Sequence, residues 1–424
     1  MAIEEYEHDS LRCTRCSFCK WVPWENMRHP DFMQGCPSAS KYNFHTYAAG
    51  GKFNLALSLM KGRIDYTEGF LDAIFKCQMD GSCDISCKSV QDIEPLQNMQ
   101  ELRIKCVQDG QGDPAHMLAI EGLKKEDNMV QAKKADRGKW AEGIPVKNLT
   151  TEKAKVVFHA GCKYSFDEEL WPTARAGLTL LMKAGVDVGI MGRDEACCGG
   201  RAYEMGYLGE LTKFAEHNRE VFKAAGVTTL VTPCSDGYQT FKVLYDKIGQ
   251  KLDIEVLHIT EYIHRLIKEG AIHLTKKVPL TVTYHDPCHL GRLAEPWVHW
   301  KGKEVKVLGQ MIVHEPPKKY RRGANGVYDI PREILKSIPG VRLVEMYRTR
   351  ESAWCCGAGG GVKEAYPDFA IWTGAERLKE AKTVGAKAIV SACPWCTRNF
   401  IDTVKETGQK MEVYDIIELV QQAM

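Results

Sequence analysis

The 424-residue chain has no apolar run approaching the ~18 residues that a membrane-spanning helix needs. It has no charge surplus either. With 57 Lys and Arg against 55 Asp and Glu, the formal net charge is +2, so neither attraction to nucleic acid nor an acidic solvating tail is expected. The first residues, MAIEEYEHDS, are acidic and lack the basic-then-apolar pattern of a leader, and the expected location is the cytoplasm. No G-x-G-x-x-G follows an apolar run and no P-loop occurs, so any flavin, nicotinamide or nucleotide site is expected on another chain.

What the chain has in quantity is cysteine, 17 residues in all. Disulfides suit small exported domains rather than a long chain without an export signal, which leaves metal or redox chemistry. The cysteines are also unevenly spread. Cys13-x2-Cys16-x2-Cys19 puts three thiolates on one loop, as a polypeptide does when it wraps three corners of an Fe–S cube. In the bacterial ferredoxin run the fourth Cys precedes Pro and serves the other cluster, and Cys36-Pro37 has that character. Cys77-x5-Cys83-x3-Cys87 repeats the spacing with Asp80 in the place of the second Cys. Crossing the remote ligands gives one site from Cys13, Cys16, Cys19 and Cys87, and a second from Cys36, Cys77 and Cys83. The last corner of the second site has two open readings, ligation by Asp80 or a three-iron [3Fe–4S] cluster. Zinc is the alternative metal, but three cysteines at two-residue spacing favour a cluster. Cys106 has no partner spacing and is expected in the core, as are Trp21 and Trp24. Residues 1–109 form this module. Residues 110–154 are expected as a linker holding a short helix near 115–126, with Met117, Leu118, Ile120 and Leu123 on one face.

Beyond residue 154 the chain repeats itself. Val156-Val157-Phe158-His159-Ala160-Gly161-Cys162 answers Val282-Thr283-Tyr284-His285-Asp286-Pro287-Cys288, and Cys197-Cys198-Gly199 answers Cys355-Cys356-Gly357. Pro233-Cys234-Ser235-Asp236-Gly237 answers Ala392-Cys393-Pro394-Trp395-Cys396. Amphipathic stretches at 170–184, 208–225 and 369–384 alternate with β-rich runs, so the fold class is α/β: two pseudo-repeated cysteine-rich units, 155–275 and 276–424, behind a mainly helical module. The cysteines fall at strand ends, where open α/β sheets present ligands. Gly199, Gly357 and Gly359 are expected to let the backbone wrap a bulky cofactor. The first copy has four cysteines, Cys162, Cys197, Cys198 and Cys234, with Gly237 at the fifth place. The second has five, Cys288, Cys355, Cys356, Cys393 and Cys396. Five thiolates exceed the four that zinc takes, whereas four suit either zinc or a cluster. Cys393-Pro394-Trp395-Cys396 taken alone would read as a thioredoxin-like redox pair.

These motifs, twice repeated behind a two-cluster segment, resemble the family of heterodisulfide reductase catalytic subunits, which also holds the iron–sulfur subunit of glycolate oxidase. The resemblance implies [4Fe–4S] clusters in the N-terminal module and a [4Fe–4S] cluster on Cys288, Cys355, Cys356, Cys393 and Cys396, in some members an open noncubane one. It also implies an oxidoreductase subunit active within a complex, with partner subunits that carry flavin or another redox cofactor and through which the chain would meet a membrane. Three departures stand out: Asp80, Gly237, and an insertion. Residues 292–325, basic and aromatic with Trp297, Trp300, Lys318, Lys319, Tyr320, Arg321 and Arg322, account for much of the longer gap between Cys288 and Cys355. This segment reads either as a surface loop or as a docking element for a partner. The leading function is single-electron transfer between a partner and the C-terminal site. The alternatives are reduction of a disulfide or heterodisulfide at that site, and a zinc-bound scaffold.

Overall fold

The computed structural model describes residues 2–91, 93–309, 311–317, 319 and 321–424. Its N-terminal part is built from short helices, among them Ala49–Met60, Glu68–Phe75, Ser82–Lys88, Pro95–Gln108 and Pro114–Glu126. Local chemistry sets their starts. Thr67 accepts a hydrogen bond from the Phe70 amide, and Asp113 accepts from Ala115 ahead of a proline in the first turn. Phe70, Ile74, Phe75, Met99, Leu102 and Cys106 are buried together, so Cys106 is a core residue. Trp21 and Trp24 are not in the core. They are 36% and 75% exposed, because the loop after Cys19 runs along the surface as a short bridge with Gln34.

Two parallel sheets follow. The first contains β1 (Lys147–Asn148), β2 (Val156–Phe158), β3 (Val188–Ile190), β4 (Thr229–Thr232) and β5 (Glu255–His258), in the order β1-β3-β2-β4-β5. Next comes β6 (Thr281–Tyr284), then an antiparallel hairpin of β7 (Lys303–Val307) and β8 (Met311–Glu315) within the insertion. The chain continues through β9 (Arg342–Leu343), β10 (Ala388–Ser391) and β11 (Glu412–Asp415). The second sheet has the order β11-β10-β6-β9, the same as β5-β4-β2-β3 of the first. Helices cover both sheets, which explains why the central strands read as unbroken apolar runs: Val156–Phe158 and Ala388–Ser391 are buried throughout.

The units pack as a pseudo-two-fold pair. Helix Trp171–Lys183 of the first unit lies on Ile416–Ala423 of the second, and the equivalent helix Asp329–Ser337 lies on Ile259–Lys268. Leu178, Leu181, Ile259, Ile263, Ile334, Leu335, Ile416 and Val420 close one continuous core between them. Each such side chain contributes about 1.5–3 kcal/mol when fully buried. Tyr164 donates to Asp415 at 2.9 Å and Thr173 to Glu418 at 2.8 Å across the same interface.

The segment 110–154 does more than connect. Its helix forms, but buries His116, Ala119, Ile120 and Leu123 while Met117 and Leu118 face outward, because His116 reaches the Gly361 carbonyl of the second unit at 2.9 Å. Trp140 is buried in the shared core, Arg137 is buried beside Cys162, and β1 becomes an edge strand of the first sheet. Lys318 and Tyr320 of the insertion lie outside the described residues.

Candidate metal centres

Cys13, Cys16, Cys19 and Cys87 line one cavity with Phe18, Gly50 and Phe53. Arg15 and Ser17 hold φ of 61° and 67°, a left-handed conformation that costs non-glycine residues energy and folds three thiols of a seven-residue stretch onto one side. Helix Ser82–Lys88 brings Cys87 to them at its last turn. Cys16 is exposed, so this cavity reaches the surface.

A second cavity is lined by Cys36, Cys77, Asp80 and Cys83 with Lys52. Burial pushes the Cys36 thiol up to about 12 and Cys83 well above the ordinary range. Such thiols stay protonated by themselves and become ligands only when a metal replaces the proton. Asp80 faces the same cavity, but its carboxylate is engaged: Arg292 donates to Oδ2 at 3.0 Å, and the Ser82 amide and hydroxyl donate to Oδ1 at 3.2 Å. Arg292 also donates to the Glu351 and Ala353 carbonyls at 2.8 and 2.7 Å, so this ion pair ties the second N-terminal cavity to the loop before Cys355.

The five cysteines of the second unit are all buried. Their thiols hydrogen-bond in series, Cys288 to Cys355, Cys355 to Cys356, Cys356 to Cys396 and Cys396 to Cys393. Hydrogen bonds from Cys355 and Cys396 pull Cys356 down to about 6 despite its burial. Cys288 follows β6, Cys393 follows β10, and Cys396 lies in the first turn of helix Pro394–Thr407. A ring nitrogen of His285 and the sulfurs of Cys356 and Cys396 lie within 4.8 Å of one another. His285 was not singled out from sequence, although His159 and His285 each stand three residues before a repeat cysteine. Arg377 donates to its Nδ1 at 3.3 Å, which leaves the proton on Nε2, and burial pushes its pKa down to about 3.

In the first unit Cys162, Cys197 and Cys198 hydrogen-bond in series. The Cys197 thiol and the Arg137 guanidinium, 3.2 Å from Cys162, bring Cys162 down to about 5. The hydrogen-bond partner of Cys234 is not one of these three but Cys393, its counterpart in the other repeat, so the two equivalent cysteines meet at the pseudo-axis. A Cβ built on Gly237 would have its nearest neighbours at 3.4–3.8 Å, ordinary contact.

A buried polar group that sequence reasoning also missed lies between the units. Arg201 stacks on the Trp395 ring at 3.9 Å and pairs with Glu364 at 2.8 Å, and Asp236 meets His289 Nδ1 at 3.2 Å. His289 bridges the Cys288 sulfur, 3.2 Å away, and the Glu204 carboxylate. Burial opposes its protonation, yet Asp236, Cys288 and Glu204 hold its pKa well above the ordinary value.

At the glycines expected to let the backbone wrap a cofactor, the place a Cβ would take is already filled by protein. A Cβ on Gly357 would stand 2.3 Å from the Ala370 carbonyl, and one on Gly199 3.0 Å from Leu211 Cα. Gly359 and Gly360 press on the N-terminal module, where a Cβ would approach the Gln78 and Cys77 carbonyls to 2.4 Å. Arg103, fully buried, clamps this seam by donating to the Cys77 carbonyl at 2.8 Å, Gly360 at 2.7 Å and Glu204 at 2.8 Å. The second N-terminal cysteine loop therefore abuts the chain four residues after Cys356.

Known proteins agree with this layout. Residues 9–90 match the 4Fe-4S dicluster domain, and residues 156–242 and 313–401 each match the CCG cysteine-rich domain. One subunit of the dihydromethanophenazine:CoB–CoM heterodisulfide reductase of Methanosarcina acetivorans is 32% identical over all of this chain and 95% of its own. Its counterpart from Methanosarcina mazei is 31% identical, with 100% and 95% covered. An EtfAB:quinone oxidoreductase of Syntrophomonas wolfei is 29% identical over 83% of this chain and 47% of that one.

Proposed function

The chain belongs to the family of these heterodisulfide reductase subunits, iron–sulfur electron-transfer proteins with CCG cysteine-rich domains, and from that premise we propose that it exchanges single electrons with a partner subunit and delivers them to, or draws them from, its C-terminal cysteine set. Cys13, Cys16, Cys19 and Cys87 would hold one cluster and Cys36, Cys77 and Cys83 a second. Cys288, Cys355, Cys356, Cys393 and Cys396 would hold the [4Fe–4S] cluster of the second unit. When bound, these clusters supply one-electron carriers whose potentials depend on burial and on hydrogen bonds to sulfur. The residues fit them: each N-terminal cavity collects cysteines from separate parts of the chain, and the buried C-terminal thiols have mainly one another as partners.

The observation that carries the reading is the seam. Exposed Cys16 gives a partner access to the first cavity, and the close contact of Cys77 with Gly360 sets the second cavity against the Cys355–Cys356 turn. Asp80, held by Arg292 and Ser82, acts here as a rim residue that fixes the two loops, which favours a three-thiolate second site. The first unit keeps Cys162, Cys197 and Cys198 close to a guanidinium and lacks a fifth thiol, so it is the secondary site. Partner-linked turnover of Cys356→Ser and Cys198→Ser tests this ranking. Loss of a ligand in the C-terminal set should lower electron delivery by at least ~100-fold, as second-sphere changes alone cost 10–100-fold. Cys198→Ser should act mainly on stability, and equal losses in the two folded variants would overturn the ranking.

A further inference from the structure

The insertion carries an element that packs into no core. β7 and β8 pair only with each other, and among the described residues none of Val305, Val307, Leu308, Ile312 and Val313 joins a hydrophobic cluster of the module or the units. A two-stranded ribbon without such packing is marginal in water. Its base is tied down: Trp300 donates to the Pro316 carbonyl at 3.0 Å and stands 5.0 Å from the His314 ring, and His299 meets Asp246 of the first unit at 3.1 Å. The far end is bare. Leu308 is 91% exposed at the turn, and its φ of 50° is a left-handed conformation that a leucine adopts at a cost. The register sets Val305 opposite Val313 on one face, so the apolar turn continues into an apolar flank.

Positive charge stands behind that end. Between residues 296 and 325 seven Lys and Arg stand against two Glu, in a chain otherwise close to balance. Both Glu are paired within the hairpin, Glu315 with Lys303 at 3.3 Å and Glu304 with His314 at 3.5 Å. Lys301, Lys303 and Lys306 are exposed along β7 and the approach to it. At about 3.3 Å per residue, Lys306 stands roughly 7 Å behind Leu308, within the ~5–10 Å to which interfacial apolar groups sink. A protein partner of standard size would need ~800 Å² of this chain with aromatic residues at its centre. The end of this ribbon offers one leucine and a valine flank. We propose that the hairpin is a peripheral membrane contact, seating Leu308 at the acyl boundary of an anionic bilayer with the lysines behind it at the phosphates. The contact stands independently of the electron-transfer reading above.

Flotation of the anaerobically purified full chain with vesicles of phosphatidylcholine and phosphatidylglycerol in equal parts, against phosphatidylcholine alone, tests the contact at about 0.15 M salt. Binding at least ~10-fold tighter to the anionic vesicles is expected, since each lysine near such a surface contributes about fivefold. Leu308→Asn, a residue that suits the left-handed turn, should weaken binding at least ~10-fold through lost apolar burial. Lys301→Glu combined with Lys306→Glu should weaken it by a similar factor. These positions lie outside the unit cores, so the variants should match the parent in iron content and circular dichroism. Absence of binding to either vesicle, equal binding to both, or unchanged binding in the folded variants would overturn the contact. Release of a co-purifying protein by the same substitutions, without vesicle binding, would overturn it in favour of a protein-docking hairpin.

Discussion

The two cysteine-rich units share a strand order and a pair of packing faces, yet differ at every point where chemistry is decided. Strand runs, covering helices and the isologous interface are constrained by burial, and the units agree there to the level of equivalent helices packing in equivalent ways. At the sites, the first unit has Gly237 in place of a cysteine and the Arg137 guanidinium on Cys162, while the second has five thiols, His285 beside two of them, and a glycine run docked on the N-terminal module. A duplicated fold is thus held in common by its core, and both copies meet the N-terminal module, but only the second sets a glycine run, Gly359 and Gly360, against a cysteine loop there.

The largest break in the comparison should come from the ion pair that links the N-terminal module to the second unit only. Asp80→Asn leaves Arg292 buried without its carboxylate, and the expected loss is about 3–5 kcal/mol, read as a lower unfolding temperature under anaerobic conditions. An unchanged unfolding temperature with a changed iron spectrum would instead make Asp80 a ligand. Gly360→Ala sets a methyl group against the Cys77 carbonyl at a residue with φ of 61°. A cost of about 2–4 kcal/mol is expected, together with slower electron transfer between the N-terminal and C-terminal sites in rapid-freeze measurements. A change just after the first unit's own Cys-Cys pair, Gly200→Ala, should leave that transfer rate alone, since its Cβ meets Thr240 and not the N-terminal module. The smallest effect on stability should come from Gly237→Cys, where the added Cβ meets only ordinary contacts. Stability should change by no more than ~1 kcal/mol, and elemental analysis should find additional iron per chain if the missing thiol is what sets the first unit apart.

Much of this was readable in the sequence because cysteine spacing and apolar periodicity are local signals. The covering helices at 171–183, 208–225 and 367–383 lie where the amphipathic stretches put them, and the repeat predicted two like sheets. The crossed grouping of Cys87 with the first loop and of Cys36 with the second run rests on the ferredoxin spacing, and the cavities collect the same residues. What the sequence concealed depends on contacts between distant segments. Arg292 reaches Asp80 from the insertion, Arg137 reaches Cys162 from the supposed linker, and His116 turns the buried face of its helix away from Met117 and Leu118. The glycines after the Cys-Cys pairs are expected to let the backbone wrap a cofactor, and what the sequence does not announce is that the place of a Cβ on Gly357 and Gly359 is filled by the Ala370 and Gln78 carbonyls. Trp21 and Trp24 look like core by composition and lie on the surface because the loop after Cys19 runs along the outside of the module as a bridge with Gln34.

The most direct measurement of the central claim is joint iron, zinc and spin quantitation of the anaerobically purified chain across a reductive titration. About eight to twelve iron atoms per chain are expected, from two N-terminal clusters and at least one C-terminal cluster of up to four irons each, with a C-terminal signal that Cys356→Ser removes while the N-terminal signals remain. Iron near zero after anaerobic preparation and reconstitution, with zinc in its place, would contradict it.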